Sequence, residues 1–281
     1  MARYGIKTPN MHTTWENMLE IWREVDQTDV FDSVWNWDHL YPLRSDPHGT
    51  SLDGWVTLSA LARETKRIRI GTMVNGMHFR HPSITAKMAV TLDHVSGGRS
   101  YLGLGAGWFE EEAEAHGIEL GTMKERFDRF DEGLAVIVSL LTNEETTFSG
   151  RYYLLKGALC EPKAIQQPHP PIVIGGTGRK RTLRTVARRA QMWDALIVEP
   201  GEWLELRDVL EEHCQAVGRD SSEITCTAHV RYTKGDDPSR VADEAARRFE
   251  AGVDVVIFTM GTPYDLSMVV SLAETLRSST G

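Results

Sequence analysis

Residues 67–105 read RIRIGTMVNGMHFRHPSITAKMAVTLDHVSGGRSYLGLG, and this stretch decides the fold. It opens on a short β-branched run, RIRIGTMV (67–74), and closes on another, RSYLGLG (99–105), with a longer helical stretch between them. Strand, helix and strand in that order form the unit from which parallel sheets are built. Runs of the same kind recur at RYGIKT (3–8), FDSVWNW (31–37), PIVIGG (171–176), DALIVE (194–199), ITCTAHVRYT (224–233) and DVVIFTM (254–260), which makes eight strand candidates in all. The clearest helix is KERFDRFDEGLAVIVSLL, where Phe127, Phe130, Leu134, Ile137 and Leu141 recur at helical spacing. Eight alternations predict an α/β fold, the parallel (β/α)8 TIM barrel, with a doubly wound open sheet as the structural alternative.

One gap is irregular. Between Leu141 and the fifth strand lie TTFSGRYYLLKGALCEP (146–162) and QQPHPP (166–171). The first predicts a β-hairpin from Thr147 to Leu155 and the second a Pro-rich connector, an insertion before strand five rather than a second domain. Residues 1–281 are expected to form a single domain.

The bulk properties exclude several classes. With 41% hydrophobic and 25% charged residues, the 281-residue chain can bury a sizeable core. A net charge of −9 argues against nucleic acid or an anionic membrane as the main partner. Its longest apolar runs, such as AVIV (135–138), fall far short of the roughly 20 residues that a membrane helix needs. MARYGIKT at the start has no apolar signal core. Cys160, Cys214 and Cys226 are widely spaced and form no metal knuckle. A cytoplasmic location is expected.

In such barrels the chemistry sits at the carboxyl ends of the strands. Strand two delivers Asp38 and His39 within WNWDHLYP (35–42), beside Trp37; strand three delivers Met73, Val74 and Asn75. Strand four delivers Gly105, Ala106, Gly107 and Trp108, and strand five Gly175, Gly176, Thr177 and Gly178. GGTG lets backbone N–H groups turn towards an anion, and the RKRTLRTVARR that follows is a basic cluster in an acidic chain. Its plain structural alternative is a tight turn before a solvated helix face. GLGAGW (103–108) lacks the third glycine of a dinucleotide fingerprint, so its small residues suit the close approach of a planar ring or simply relieve crowding between strands. His39 can exchange a proton near neutral pH, and a carboxylate beside it can orient ligand N–H groups. A helix-capping Asp and a structural His are the alternative. A metal centre is disfavoured: no H-x-H pair ends strand one, His12 lies several residues past it, and His78 and His81 sit in a loop before Pro82. No G-x-S-x-G elbow is present.

Assembled, these residues resemble the luciferase-like monooxygenase superfamily, and within it the branch dependent on the deazaflavin coenzyme F420. The most specific segments are RIRIGTMVNGMHFRHPSITAKMAVTLDHVSGGRSYLGLGAGWFEEE, KERFDRFDEGL and PPIVIGGTGRKRTLRTVARRA, and the similarity covers nearly the whole chain. The resemblance implies a (β/α)8 barrel, a homodimer, and a reductase or dehydrogenase elsewhere that supplies the reduced cofactor. It implies that Asp38 and His39 meet the polar edge of the ring, that a non-prolyl cis peptide falls at Met73–Val74, and that Asn75, Gly105, Ala106 and Gly107 line the ring. It further implies that Gly175, Gly176, Thr177, Gly178 and Arg179 hold the phosphate, with Trp37 and Trp108 beside the substrate. Where sugar-phosphate dehydrogenases of the branch carry a catalytic Glu, this chain has Trp108, with Glu110, Glu111 and Glu112 displaced by at least two positions. The expectation is therefore a hydride transfer at the deazaflavin C5 to or from a small, hydrophobic substrate, with His39 managing the proton. The alternatives are an FMN-dependent monooxygenase using reduced flavin and O2, and a cofactor-binding protein with little catalysis.

Overall fold

The computed structural model describes residues 2–43 and 45–279. The chain begins with β1 (Tyr4–Lys7), α1 (Trp15–Gln27), β2 (Phe31–Asn36), α2 (Gly54–Glu64), β3 (Arg69–Thr72) and β4 (Asn75–Gly76). It continues through α3 (Pro82–Ser96), β5 (Leu102–Gly105), α4 (Glu110–Ala115), α5 (Met123–Thr142), β6 (Thr146–Ser149) and β7 (Leu154–Ala158). Then follow β8 (Ile172–Gly175), α6 (Thr182–Arg189), β9 (Met192–Asp194), α7 (Pro200–Val217), β10 (Thr225–Tyr232), α8 (Pro238–Glu250), β11 (Val255–Met260) and α9 (Leu266–Ser279).

One sheet runs β3-β2-β1-β11-β10-β9-β8-β5-β4, and every neighbouring pair in it is parallel. Its two ends are halves of one strand. Only Met73 and Val74 separate β3 from β4, and the peptide between them is cis. The first half pairs with β2 from Ser33↔Arg69 to Asn36↔Thr72, and the second with β5 through Asn75↔Leu104 and Gly76↔Gly105. Counted as one strand they make eight, and the ring closes as the expected (β/α)8 barrel.

The barrel interior is filled by Trp35, Met73, Tyr101, Val173, Met192, Val255 and Ile257, with Val74 packed against them. Trp35 and Tyr101 stack at 4.9 Å between ring centroids, and the Arg69 guanidinium lies 4.1 Å over the Tyr101 ring. Space for this pair comes from Gly71: a Cβ there would meet the Trp35 ring at 2.8 Å and Tyr101 Cβ at 3.1 Å. A larger apolar layer, including Trp22, Phe31, Leu58, Phe130, Ile137 and Leu183, seals the helices onto the outside of the strands.

Local rules account for the element ends. Thr122 and Glu125 form a reciprocal capping box at the start of α5. His81 caps α3, its Nδ1 accepting from Ser83 N, and Gly97 closes that helix with φ 69°. The insertion is a two-stranded antiparallel hairpin, β6 with β7, shifted by a few residues from the expected Thr147–Leu155. Its connector is anchored from outside the hairpin. Lys163 Nζ donates to the Leu140 and Asn143 carbonyls, and Gln166 donates through its backbone and side-chain amides to the Asp93 carboxylate.

Two local expectations need correction. The sixth strand is β9, Met192–Asp194, and not the apolar run DALIVE. Asp194 Oδ1 accepts the Leu196 amide at 3.0 Å, a side-chain turn that ends the strand, and Leu196 then adopts φ 64°. Leu196 and Ile197 are exposed at the barrel mouth instead of buried in a strand. The basic run after GGTG does not start the next helix either. Arg179, Lys180 and Arg181 form a turn, and α6 begins at Thr182.

Because the space at Gly71 is already occupied by Trp35 and Tyr101, Gly71→Ala is expected to lower stability by about 1–3 kcal/mol, the usual range for overpacking. Urea unfolding followed by tryptophan fluorescence measures it. A loss under about 0.5 kcal/mol would mean that the ring pair has slack.

Candidate active site

A cavity of about 920 Å³ opens at the carboxyl ends of the barrel strands. Its lining includes Trp37, Asp38, His39, Met73, Val74, Gly105, Ala106, Gly107, Trp108, Gly175 and Gly176. All eleven are residues that the sequence reading placed at the site. Asn75, Thr177, Gly178 and Arg179 lie outside the lining. Asn75 is buried, and its Oδ1 accepts from Arg80 at 2.9 Å and from the Trp55 indole at 3.3 Å. Arg179 pairs with Glu205 at 2.7 Å, on α7.

On one wall stands a pair that sequence reasoning missed. His39 Nδ1 lies 2.8 Å from Glu112 Oε2, and Glu112 Oε1 accepts the Leu40 amide at 2.6 Å. Burial opposes the charge on Glu112, but the His39 ring and the Leu40 and Tyr41 amides more than offset it and hold the carboxyl below its usual range. Ionised Glu112 therefore takes the Nδ1–H of His39 and leaves Nε2 as the other working nitrogen. Displaced from the glycine motif, Glu112 still lines the cavity from the first turn of α4, where it is buried while Glu110 and Glu111 are exposed. Nothing in the EEE run itself distinguishes it from its two neighbours. Around His39 are the rings of Trp37, Phe79, Trp108 and Phe109, each edge-on to it within 6.4 Å.

Asp38 does not share this role. β2 has ended at Asn36, so Asp38 and His39 both border the cavity although they are adjacent in sequence. Both Asp38 oxygens are held by Arg80, at 2.6 and 3.0 Å. Burial pushes the Asp38 carboxyl up, and the Arg80 guanidinium pulls against that rise. Arg80 comes from the loop after β4, so the pair ties the ends of two neighbouring strands together.

Another part of the lining is built around Val74. Val74 projects into space left by glycines: a Cβ on Gly105 would meet it at 2.8 Å, and one on Gly175 at 3.1 Å. Gly107, with φ 90°, lets His78 in, since a Cβ there would fall 2.4 Å from His78 Nδ1. Burial lowers His78 to about 4, so it is neutral near pH 7. Beyond Gly175 the chain turns through Gly176 at φ 122°, and α6 starts without a side-chain cap. Arg181 beside it is neutralised by Asp128 and Asp131.

A second polar group forms the floor, and it too escaped the sequence reading. Lys7 on β1, Asp194 at the end of β9, His229 on β10 and Thr259 on β11 all line the cavity and all are buried. His229 Nδ1 lies 2.8 Å from Thr259 Oγ1, and Nε2 lies 2.8 Å from Asp194 Oδ1. Burial opposes ionisation of Asp194, but His229, Lys7 and the Leu196 amide overcome it and hold the carboxyl at about 2. Burial lowers Lys7 to about 8 and pushes His229 down, leaving the imidazole neutral against its acidic partner. Polar residues embedded in the apolar strands RYGIK and TCTAHVRY were the available signal.

Comparisons with known proteins bear on the fold and the family. The luciferase-like monooxygenase family model matches residues 2–277. The F420-dependent glucose-6-phosphate dehydrogenase of Kineococcus radiotolerans is 31% identical over 252 residues, 87% of this chain and 72% of that one. The structure of an F420-dependent secondary alcohol dehydrogenase in complex with an F420-acetone adduct superposes with a TM-score of 0.86 at 20% identity, covering 99% of this chain and 98% of that one. The monooxygenase RslO1 from Streptomyces bottropensis superposes at 0.78 with 20% identity, covering 99% and 100%. Matched over almost its whole length, this chain belongs to the luciferase-like monooxygenase family.

Proposed function

We propose that the protein is an F420-dependent oxidoreductase that moves a hydride between the deazaflavin and a small organic substrate. The observation that carries this reading is the His39–Glu112 pair lining the same cavity as Val74, Gly105 and Gly175. This lining suits a planar ring, since any side chain on either glycine would collide with Val74. Family relatives named for F420 dependence support the choice of cofactor.

Val74, Gly105, Ala106 and Gly175 would hold the ring, and the turn from Gly176 to the uncapped start of α6 would face the phosphate. When bound, the deazaflavin supplies a carbon that gives or takes a hydride. His39 does the accompanying proton work: its Nδ1 is committed to Glu112, so Nε2 gives a proton to, or takes one from, a substrate oxygen. Glu112 stabilises the imidazolium that forms when His39 holds the extra proton. Trp37, Phe79, Trp108 and Phe109 surround the imidazole with apolar surface and keep bulk water away from that exchange.

Three outcomes test this. Titration with oxidised F420 and with FMN, followed by fluorescence, is expected to give preferential micromolar or tighter binding of the deazaflavin; preference for FMN would move the protein to the monooxygenases that use reduced flavin and O2. His39→Ala is expected to cut turnover by about 10²–10⁴-fold while F420 affinity stays within about threefold. Equal losses in both would make His39 a binding residue only. Glu112→Gln is expected to lower kcat by about 10–100-fold with KM little changed, because it alters the imidazole's tautomer and charge stabilisation rather than substrate contact. A pure KM effect would exclude that role.

A further inference from the structure

The floor of the cavity is not part of the proton machinery just described, and its chemistry restricts the substrate. Lys7 is 6% exposed, and among the described residues its ammonium has no hydrogen-bond or ion-pair partner; it lies 5.3 Å from the centre of the Trp37 ring. Asp194 is fully buried; its Oδ1 accepts the Leu196 amide and lies 2.8 Å from His229 Nε2. Asp194 Oδ2 has no hydrogen-bond partner. Gly175, which also lines the cavity, is its neighbour: a Cβ on that glycine would sit in contact with Oδ2, at 3.5 Å. A buried acceptor without a partner, as Asp194 Oδ2 is, carries a penalty of about 1–3 kcal/mol until something satisfies it, and the Lys7 ammonium is a donor that lines the same cavity.

Charge balance decides what that something is. Asp194 contributes −1, Lys7 contributes +1, and His229 is neutral, so the floor is already balanced. A carboxylate or phosphate placed on Lys7 would gain the ammonium and meet Asp194 as a like charge in a water-poor cavity. A neutral group that offers an acceptor to Lys7 and a donor to Asp194 satisfies both without adding charge.

The geometry points to a substrate-binding subsite at Lys7 and Asp194 that takes a neutral donor–acceptor group, a carboxamide or lactam, its carbonyl oxygen on the Lys7 ammonium and its N–H on Asp194 Oδ2. The inference rests on the reading of this cavity as the seat of hydride transfer and gives that reaction a polar, uncharged substrate class. The apolar part of the molecule then lies against Trp37, whose indole underlies Lys7, and the reacting carbon lies between the floor and His39.

Benzamide and benzoate test this directly, because they share ring and shape and differ in charge and donor capacity. F420 is titrated first, on its own; failure to bind it would defeat the cofactor reading while leaving the subsite to be decided by the same probes on the free protein. Calorimetric titration of the F420-saturated protein is expected to show benzamide binding roughly tenfold more tightly than benzoate. Lys7→Met is expected to weaken benzamide roughly tenfold. Asp194→Asn removes the negative charge and leaves Lys7 uncompensated, so the preference is expected to move towards benzoate. A merely structural Asp194 would weaken both probes together. The proposal is overturned if benzoate binds as well as benzamide to the unmodified protein, if benzamide shows no saturable binding, or if Asp194→Asn leaves the ratio unchanged. Displacement of benzamide by F420 would instead assign the floor to the cofactor's own amide edge and overturn the substrate assignment.

Discussion

The break in the third barrel strand is the constraint on which the rest depends. A barrel strand hydrogen-bonds to a neighbour on each side, and here most of that work is divided: the first half pairs with β2 along its length and meets the strand-four segment at the Ile70–Ser100 bridge, while the second half pairs with β5. The residues between the halves lie where the ring closes and where the cavity opens. The two serve different ends: Met73 fills the barrel interior, and Val74 projects between Gly105 and Gly175 at the mouth. Large aromatic filling below and small residues above follow from that division, since the interior must be packed solid while the mouth must stay open.

Much of this was legible in the sequence because it is written in local chemistry. Seven of the eight strands, helix α5, the hairpin insertion and the glycines at the strand ends all follow from periodicity and turn residues. The sixth strand is not legible in this way, because DALIVE is more apolar than MWD and hydrophobicity alone points to the wrong run. The decisive event there is a side chain: Asp194 bonds the Leu196 amide and ends the strand, so the apolar residues spill onto the rim. Partnerships between distant positions were equally invisible. Nothing in Glu112, Arg80 or Lys7 taken alone says that it meets His39, Asp38 or the Trp37 ring, because 73, 42 and 30 residues separate the members of these pairs.

The polar residues of the cavity fall into two groups with separate duties. On the wall, Glu112 is fully buried and ionised against His39, whose ring is itself part-buried among the rim aromatics. At the floor, Asp194, His229 and Thr259 form a chain with no member exposed by more than 9%. Keeping the two apart matters: joined, they would lower each other's ability to hold a defined proton, whereas apart each sets the protonation of one end of a bound molecule.

The Asp38–Arg80 pair has a mechanical meaning as well as an electrostatic one. It joins the segment after β2 to the loop after β4, and through Asn75 and the Trp55 indole it reaches helix α2. Two neighbouring βα units of the barrel rim are thus braced to each other before any ligand arrives. A rim braced in this way gives up little motional freedom when a flat molecule is clamped against it, so the entropy that binding normally sacrifices in ordering loops has here been lost already, during folding.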